Sequence, residues 1–119
     1  MSIGTAPREA VQFGRGAQSF ILLILTQGRS YGYGIRHRLE DEFGYQNAAD
    51  PGALYRLLRE LEAAGLIEST WDIAETGPAR RYYQLTGAGR QELRNGAERL
   101  RRQVTRIERF FELYEELQA

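Results

Sequence analysis

The sequence predicts a mainly α (α+β) fold, in which three helices precede a two-stranded β-hairpin and one long C-terminal helix. Three observations predict it. The 119 residues suffice for one hydrophobic core. Apolar residues recur at helical spacing before residue 65 and again after residue 86. Between these segments, two short runs rich in β-branched and aromatic residues flank a Gly-Pro loop.

The first firm element is a helix over Ala17–Gln27, which Gly28 would end. Its apolar stretch, Phe20–Leu25, would also suit a central strand, but the length of the segment favours a helix that is buried on most sides. Residues 1–16 are predicted to form a loose N-terminal arm with a short helix around Pro7–Phe13.

Two more helices are predicted before the hairpin. The second spans Tyr33–Phe43, with Ser30 as its cap. The third spans Pro51–Ala64, because Asp50 before a proline is a typical helix start, and Gly65 ends it. Its inward residues are Leu54, Leu57, Leu58 and Leu61.

The hairpin is predicted from strands at Leu66–Ile73 and Arg81–Thr86, joined by a loop that holds Gly77 and Pro78. Trp71 lies in the first strand, where we expect it to pack under the hairpin rather than line a pocket.

The last helix starts at Thr86 and carries apolar residues separated alternately by four and three positions from Leu93 to Tyr114. This stripe spans about 33 Å, more than three short helices are expected to cover. Its Leu93 end either packs on its own domain or pairs with a second chain, and its other end is predicted to form a homodimer. The predicted dimer residues are Leu100, Val104, Ile107, Phe110, Phe111, Tyr114 and Leu117. The domains are then an arm (1–16), a body (17–89) and a dimerisation helix (90–119).

Several functions are disfavoured by the residues present. The chain has no cysteine and a single histidine, His37, so disulfides and multi-histidine metal sites are excluded. Glu40–Glu42 is a carboxylate run, but consecutive helical residues point in different directions and cannot form a catalytic pair. The longest apolar run is too short to cross a bilayer. We therefore expect a cytoplasmic protein that is not an enzyme, with no cofactor and no membrane partner.

A helix, a turn, a second helix and a hairpin form the arrangement of a winged helix-turn-helix, in which the later helix enters the DNA major groove. The third predicted helix presents Arg56 and Arg59 outward, and the hairpin, or wing, places Arg80 and Arg81 where they could reach phosphate. An ordinary exposed helix face and loop are the alternative interpretation.

Four segments together resemble the PadR family of winged-helix transcriptional regulators. They are YGYGI (31–35), GALYRLLRELE (52–62), GLIES (65–69) and RYYQLTGAGR (81–90). The resemblance implies that Tyr55 contacts the DNA backbone, that Tyr33 and Arg36 face phosphate, and that Arg80 and Arg81 are the basic residues of the wing. It also implies a homodimer whose long C-terminal helix is the dimerisation helix. Arg56 departs from the family, which usually has a proline or a similar residue there.

The function implied is a homodimeric repressor of double-stranded operator DNA with a near-palindromic site. Relief by a small apolar or aromatic effector is left open, and its pocket would have to form at the dimer interface between the first and last helices. The alternative is a winged-helix module that binds protein and not DNA.

The formal net charge is zero, because sixteen arginines balance sixteen acidic residues. The exclusive use of arginine fits either a GC-rich genome or bidentate phosphate contacts. Residues 1–39 carry +4, residues 40–75 carry −7, residues 76–109 carry +6 and residues 110–119 carry −3. Because the Debye length is about 8 Å at physiological salt, DNA meets mainly nearby charges. The net charge of zero therefore predicts modest non-specific affinity for DNA and does not exclude a nucleic-acid partner.

Overall fold

The computed structural model describes residues 15–46, 52–73 and 77–119, and within them the predicted order of elements is confirmed. In chain order the elements are a 3₁₀ turn (Arg15–Ala17), α1 (Gln18–Leu25), β1 (Ser30–Tyr31), α2 (Gly32–Phe43), α3 (Ala53–Ala63), β2 (Ile67–Asp72), β3 (Arg80–Leu85) and α4 (Gly87–Gln118). Most of the predicted arm, including the Pro7–Phe13 helix, and the predicted start signal at Asp50 and Pro51 lie outside the described residues.

The core lies between α1, α2, α3 and the base of the hairpin. Helix α1 buries Ile21, Leu22, Ile24 and Leu25, which confirms the helix buried on most sides. The four leucines predicted to point inward from α3 are all buried. Each such side chain contributes about 1.5–3 kcal/mol on removal from water. This packing fixes α3 on the body and leaves its opposite face exposed.

The sheet has the order β1-β3-β2 and is antiparallel throughout. Strands β2 and β3 form the wing. The short strand β1 was not predicted: Ser30 pairs with Tyr83 across the sheet instead of capping a helix. Tyr31 is extended and precedes α2 without a side-chain capping bond. Two residues are too few to show the alternation of apolar and polar side chains that identifies a strand. The pairing of β1 with β3 is therefore visible only in the folded structure.

Helix α3 ends where Gly65 takes a positive φ of 79°. The Gly65 amide donates to the backbone carbonyl of Glu62, and the Leu66 amide donates to that of Leu61, both at 3.0 Å. This pair of hydrogen bonds is a Schellman motif. Thr86 then joins this turn to α4. Its hydroxyl donates to the Gly65 carbonyl at 2.7 Å and accepts from the Gly89 amide at 2.9 Å.

Helix α4 packs on the body only through its first part. Leu93 is partly buried against the core, so this end of the stripe packs on its own domain. Gly96 is buried against Ser19 of α1. From Arg101 onward every residue of α4 is exposed in the single chain. In the described parts of the chain, no helix has the length and apolarity needed to cross a membrane.

Candidate nucleic-acid interface

The two wing arginines are adjacent in sequence but lie on opposite faces of β3. Arg80 pairs with Asp72 across the sheet, and Arg81 pairs with Trp71. Because successive side chains of a strand alternate between faces, Arg81 shares its face with the buried Tyr83. Arg80 therefore lies on the outer face of the wing, and Arg81 on the face turned towards the body.

Arg80 is held at the start of α2 by two tyrosine rings. Its Cζ lies 5.2 Å from the ring centroid of Tyr31 and 5.7 Å from that of Tyr33, both within the range of a cation–π contact. Its Nη1 also donates to the Tyr33 hydroxyl at 3.5 Å. The structure thus brings together Tyr33 and Arg80, two residues predicted to contact DNA from separate parts of the sequence.

Arg81 stacks on Trp71, with 4.8 Å between its Cζ and the ring. The expectation that Trp71 packs under the wing is wrong, because its side chain is 58% exposed. Trp71 is the penultimate residue of β2. Its ring is covered there by the Arg81 guanidinium group and not by the core. The Nε of Arg81 is buried and has no hydrogen-bond partner among the described residues.

Tyr55, near the start of α3, completes a small concavity of about 180 Å³ between α2, α3 and the wing. The lining residues are Tyr31, Gly32, Tyr33, Tyr55, Arg80, Arg81 and Tyr83. The Tyr55 ring reaches Gly32 so closely that a Cβ there would lie 2.7 Å from Cε1 of the ring. Burial raises the pKa of Tyr83, and the neighbouring Arg81 acts in the opposite direction. The concavity offers phenol hydroxyls and guanidinium groups, which suit an anion such as phosphate.

The remaining predicted DNA residues are not among those that line this concavity. Arg56 and Arg59 are exposed on α3, opposite its buried leucines. Arg59 lies one helical turn after Tyr55, and Arg36 lies about one turn after Tyr33 on α2 and is half-buried. His37 is exposed, as expected, and its ring meets that of Tyr33 edge-on at 6.1 Å.

Sequence reasoning missed four residues beside this site. The rings of Tyr31 and Tyr82 stack at 4.2 Å, and the Cζ of Arg29 lies 4.2 Å from the Tyr82 ring centroid. The Tyr31 hydroxyl donates to Oδ2 of Asp72 at 2.9 Å and lies 2.8 Å from the Tyr82 hydroxyl. These contacts, with that to Tyr82 the strongest, raise the pKa of Tyr31 well above its ordinary value. The pairing of Tyr31 with Tyr82 depends on strand register, which no local sequence signal contains.

A second, larger groove of about 590 Å³ lies between α1 and α4. Gln18 and Ser19 line it from α1, and Arg99 and Leu100 from α4. Arg99 forms an ion pair with Glu92 at 2.7 Å and holds the pKa of that carboxyl below its usual value. This groove is at the position expected for a pocket between the first and last helices.

Comparisons with known proteins identify the family of this arrangement. The model of the PadR-like family of transcriptional regulators matches residues 21–95, more than half of the chain. A search among curated proteins found no match.

Solved structures agree with this family match. A PadR-like transcriptional regulator from Bacillus cereus is 27% identical, with a TM-score of 0.66, and the match covers 82% of this chain and 93% of that one. A transcriptional regulator from Clostridium thermocellum is also 27% identical, with a TM-score of 0.70 over 81% and 94% of the two chains. Bacillus subtilis PadR, solved in complex with operator DNA, is 30% identical with a TM-score of 0.60, and the match covers 69% of this chain and 46% of that one. The predicted winged helix-turn-helix fold class is thereby confirmed.

Proposed function

Because the chain belongs to the PadR-like family of transcriptional regulators, we propose that it is a homodimeric repressor that binds operator DNA through α3 and the wing. The observation that carries the proposal is the concavity in which Tyr33 of α2, Tyr55 of α3 and Arg80 and Arg81 of β3 meet. Three elements distant in sequence place cations and phenol groups on one surface, as contact with a DNA backbone requires.

Base recognition is assigned to α3. Arg56 and Arg59 are exposed on this helix, away from its leucine face, and arginine pairs bidentately with guanine in the major groove. Tyr55 borders the concavity at the start of the same helix, so a phosphate held there would fix the register of α3 on the duplex. The backbone contacts position the protein, and the two arginines supply the discrimination.

Dimerisation is assigned to the exposed part of α4. The large apolar side chains from Leu100 to Leu117 that were predicted to form a dimer interface are all at least 38% exposed in the single chain. Contiguous apolar surface of this kind marks an interaction site, and a self-complementary helix pair is the usual solution for a homodimer. Two copies joined in this way would present two α3 helices to two half-sites, hence the near-palindromic operator.

Repression is proposed from kinship with a regulator that occupies operator DNA. For a small apolar or aromatic effector, the proposed position is the groove between α1 and α4, because Leu100 borders it and pairing of two α4 helices would close one side. Thermal unfolding with a panel of small aromatic compounds measures such binding, since a ligand of the folded dimer raises the midpoint with concentration.

Selection of the purified protein on random duplex DNA tests the proposal. We expect enrichment of a near-palindromic sequence. Joint replacement of Arg80 and Arg81 by alanine should weaken binding to all sequences alike, whereas Arg56→Ala or Arg59→Ala should relax the preference at particular base pairs. Absence of any enriched sequence, with the protein folded and dimeric, would contradict DNA binding and favour the protein-contact module.

A further inference from the structure

The outer face of the wing carries a stack of rings and guanidinium groups that the proposed contacts do not explain. The ring of Tyr31 lies between those of Tyr82, at 4.2 Å, and Tyr33, at 5.7 Å, with interplanar angles of 20° and 10°. Arg29 covers the Tyr82 end, and Arg80 lies within 6 Å of both Tyr31 and Tyr33. The stack joins β1, β3 and the first turn of α2.

Tyr31 is the residue on which this stack depends. It is the central ring, and its hydroxyl is hydrogen-bonded to Asp72 of β2 and close to the hydroxyl of Tyr82 of β3. The side chain is thereby anchored to both strands of the wing, while its backbone immediately precedes α2. Tyr31 is half-buried, whereas Arg80, which it helps to hold, is exposed.

An exposed arginine normally samples many rotamers, and ordering it on binding lowers affinity. Contacts with two rings and the Tyr33 hydroxyl restrict Arg80 before a partner arrives. Ring contacts leave the edge of the guanidinium group and its N–H donors available for phosphate. A stack of this kind therefore preorganises a phosphate contact without competing with it.

We propose that Tyr31 is a positioning residue for DNA binding, which holds the Arg80 guanidinium against Tyr33 in the orientation that meets the DNA backbone. This inference rests on the proposed function. A purely structural role for Tyr31 is the competing explanation, and it makes a different prediction: loss of Tyr31 would then lower binding by the same factor whether or not Arg80 is present.

The first readout needs no DNA. In the NMR spectrum of the free protein, the side-chain protons of Arg80 should be displaced by ring currents from Tyr31 and Tyr33. The displacement should largely persist in Tyr31→Phe, which keeps the ring, and should fall sharply in Tyr31→Leu, which keeps apolar bulk without an aromatic face. Unshifted Arg80 protons in the wild type would overturn the proposal.

The second readout is a double-mutant cycle on the selected operator. Arg80→Ala should weaken binding of the dimer about a hundredfold, because each of the two protomers loses a hydrogen bond to a charged group that is worth about tenfold. It should reduce the salt slope by about 1.8, from two protomers at about 0.9 each. Tyr31→Leu should weaken binding about fivefold, as expected for loss of exposed cation–π contacts. The double variant should be no weaker than Arg80→Ala alone, because Tyr31 acts through Arg80.

Arg59 supplies the matched control, since it lies on α3 and its contacts with DNA are proposed to be independent of Tyr31. The factors for Tyr31→Leu and Arg59→Ala should multiply. If the factors for Tyr31→Leu and Arg80→Ala also multiplied, the positioning role of Tyr31 would be overturned, and the proposed function would be unaffected. Absence of DNA binding by the wild type would instead overturn the proposed function, and the positioning role with it. Should Tyr31→Leu fail to fold, Tyr31→Phe replaces it, and we expect it to lower the affinity for DNA about twofold. If this loss disappears in a protein that also carries Arg80→Ala, the proposal is supported. If the loss is the same in that background, the proposal is overturned.

Discussion

Tyr55 lies beside the start of α2 because residue 32 has no side chain. The ring approaches the backbone at Gly32 to a distance that leaves no room for a Cβ. This contact sets where the phenol of α3 stands relative to Tyr33 and the wing arginines, which line the same concavity. The position of one proposed phosphate contact is thus determined by a glycine on a different helix.

Gly32→Ala should therefore displace Tyr55 and weaken operator binding of the dimer about a hundredfold, because each protomer loses one contact to a charged phosphate that is worth about tenfold. The affinity measured by fluorescence anisotropy tests this. Gly34→Ala is the matched control, because it makes the same change in the first turn of α2, where a Cβ would meet nothing within 4 Å. An equal loss of affinity in both variants would show that the Tyr55 contact is not responsible.

The Tyr31 hydroxyl network predicts an unusual titration. Hydrogen bonding raises the pKa of Tyr31 far above the ordinary tyrosine value of about 10. The folded state thus holds this proton more tightly than the unfolded state. Its contribution to stability is complete below about pH 10 and is lost as the pH rises above that value.

Ultraviolet absorbance titration of the folded protein should show tyrosines that ionise at a pH well above the ordinary range, and Tyr31→Phe should lower the amplitude of this high-pH phase by one tyrosine. Tyr114→Phe changes a tyrosine on α4 remote from the wing, which is exposed in the single chain, and should leave the contribution of Tyr31 in place. An unchanged high-pH amplitude in Tyr31→Phe would contradict the network.

Individual site residues were predictable only where a sequence motif or an exposed helix face identified them. Tyr33, Tyr55, Arg80 and Arg81 were found in this way, and the structure places them around one concavity. Their roles in DNA binding stay predictions. Arg29, Tyr31, Asp72 and Tyr82 were missed because their contacts depend on cross-strand register and side-chain direction. The exposure of Trp71 was missed for a related reason: the position of a tryptophan in a strand does not show whether the core covers its side chain.

At the scale of elements, the start of α4 is fixed to the end of α3. Thr86 caps α4 and bonds to the turn after α3, and Gly89 lies directly against that turn. A Cβ at Gly89 would lie 2.1 Å from the Leu66 carbonyl oxygen, which belongs to the backbone and cannot rotate away. The direction of α4 is therefore tied to that of α3.

Gly89→Ala should lower the free energy of unfolding by about 1–3 kcal/mol, as overpacking does, when measured by urea denaturation. Gly87→Ala is its control in the same helical turn, since a Cβ there meets nothing within 4 Å. Because alanine is the better helix former, Gly87→Ala should be neutral or stabilising by up to about 1 kcal/mol. A stable Gly89→Ala protein would show that α4 is not seated on the turn as described.

The longer elements were predictable because each carries a period and an end signal. The leucine pattern and Gly65 define α3, and Thr86 with the heptad stripe defines α4. Strand β1 has neither, because two residues cannot show alternation. Its existence follows from pairing with β3, a contact between segments some fifty residues apart.

At the scale of the whole molecule, zero net charge conceals a separation of charges. The wing arginines stand beside the α2–α3 concavity, whereas the acidic run Glu40–Glu42 lies at the other end of α2. All of the arginines after residue 90 are on α4. The field at the proposed DNA surface is thus more positive than that of the whole chain, and the overall balance of charge limits non-specific attraction.

The exposed end of α4 predicts the oligomeric state. Phe111→Asp should yield a monomer by light scattering, because a carboxylate would be buried without a partner in the apolar seam. Thr105→Asp introduces the same charge on the opposite side of α4 and should leave the dimer intact. If the Phe111→Asp protein were still a dimer, the interface would have to lie elsewhere on the protein.

The fold class and family could be predicted from the order of elements and four motif segments, since these reflect the whole architecture. What could not be predicted is how far α4 stands free of the body. Helical periodicity gave two alternatives for its Leu93 end, and only packing against the core resolves them.

This PadR-like regulator is proposed to bind double-stranded DNA through charges on α3 and the wing. The measurement that tests this is the affinity of the purified protein for DNA upstream of its own gene, across a series of salt concentrations. We expect the logarithm of the binding constant to fall linearly and steeply with the logarithm of salt concentration, because each neutralised phosphate releases counterions. An affinity that does not change with salt, or no binding at low salt, would contradict it.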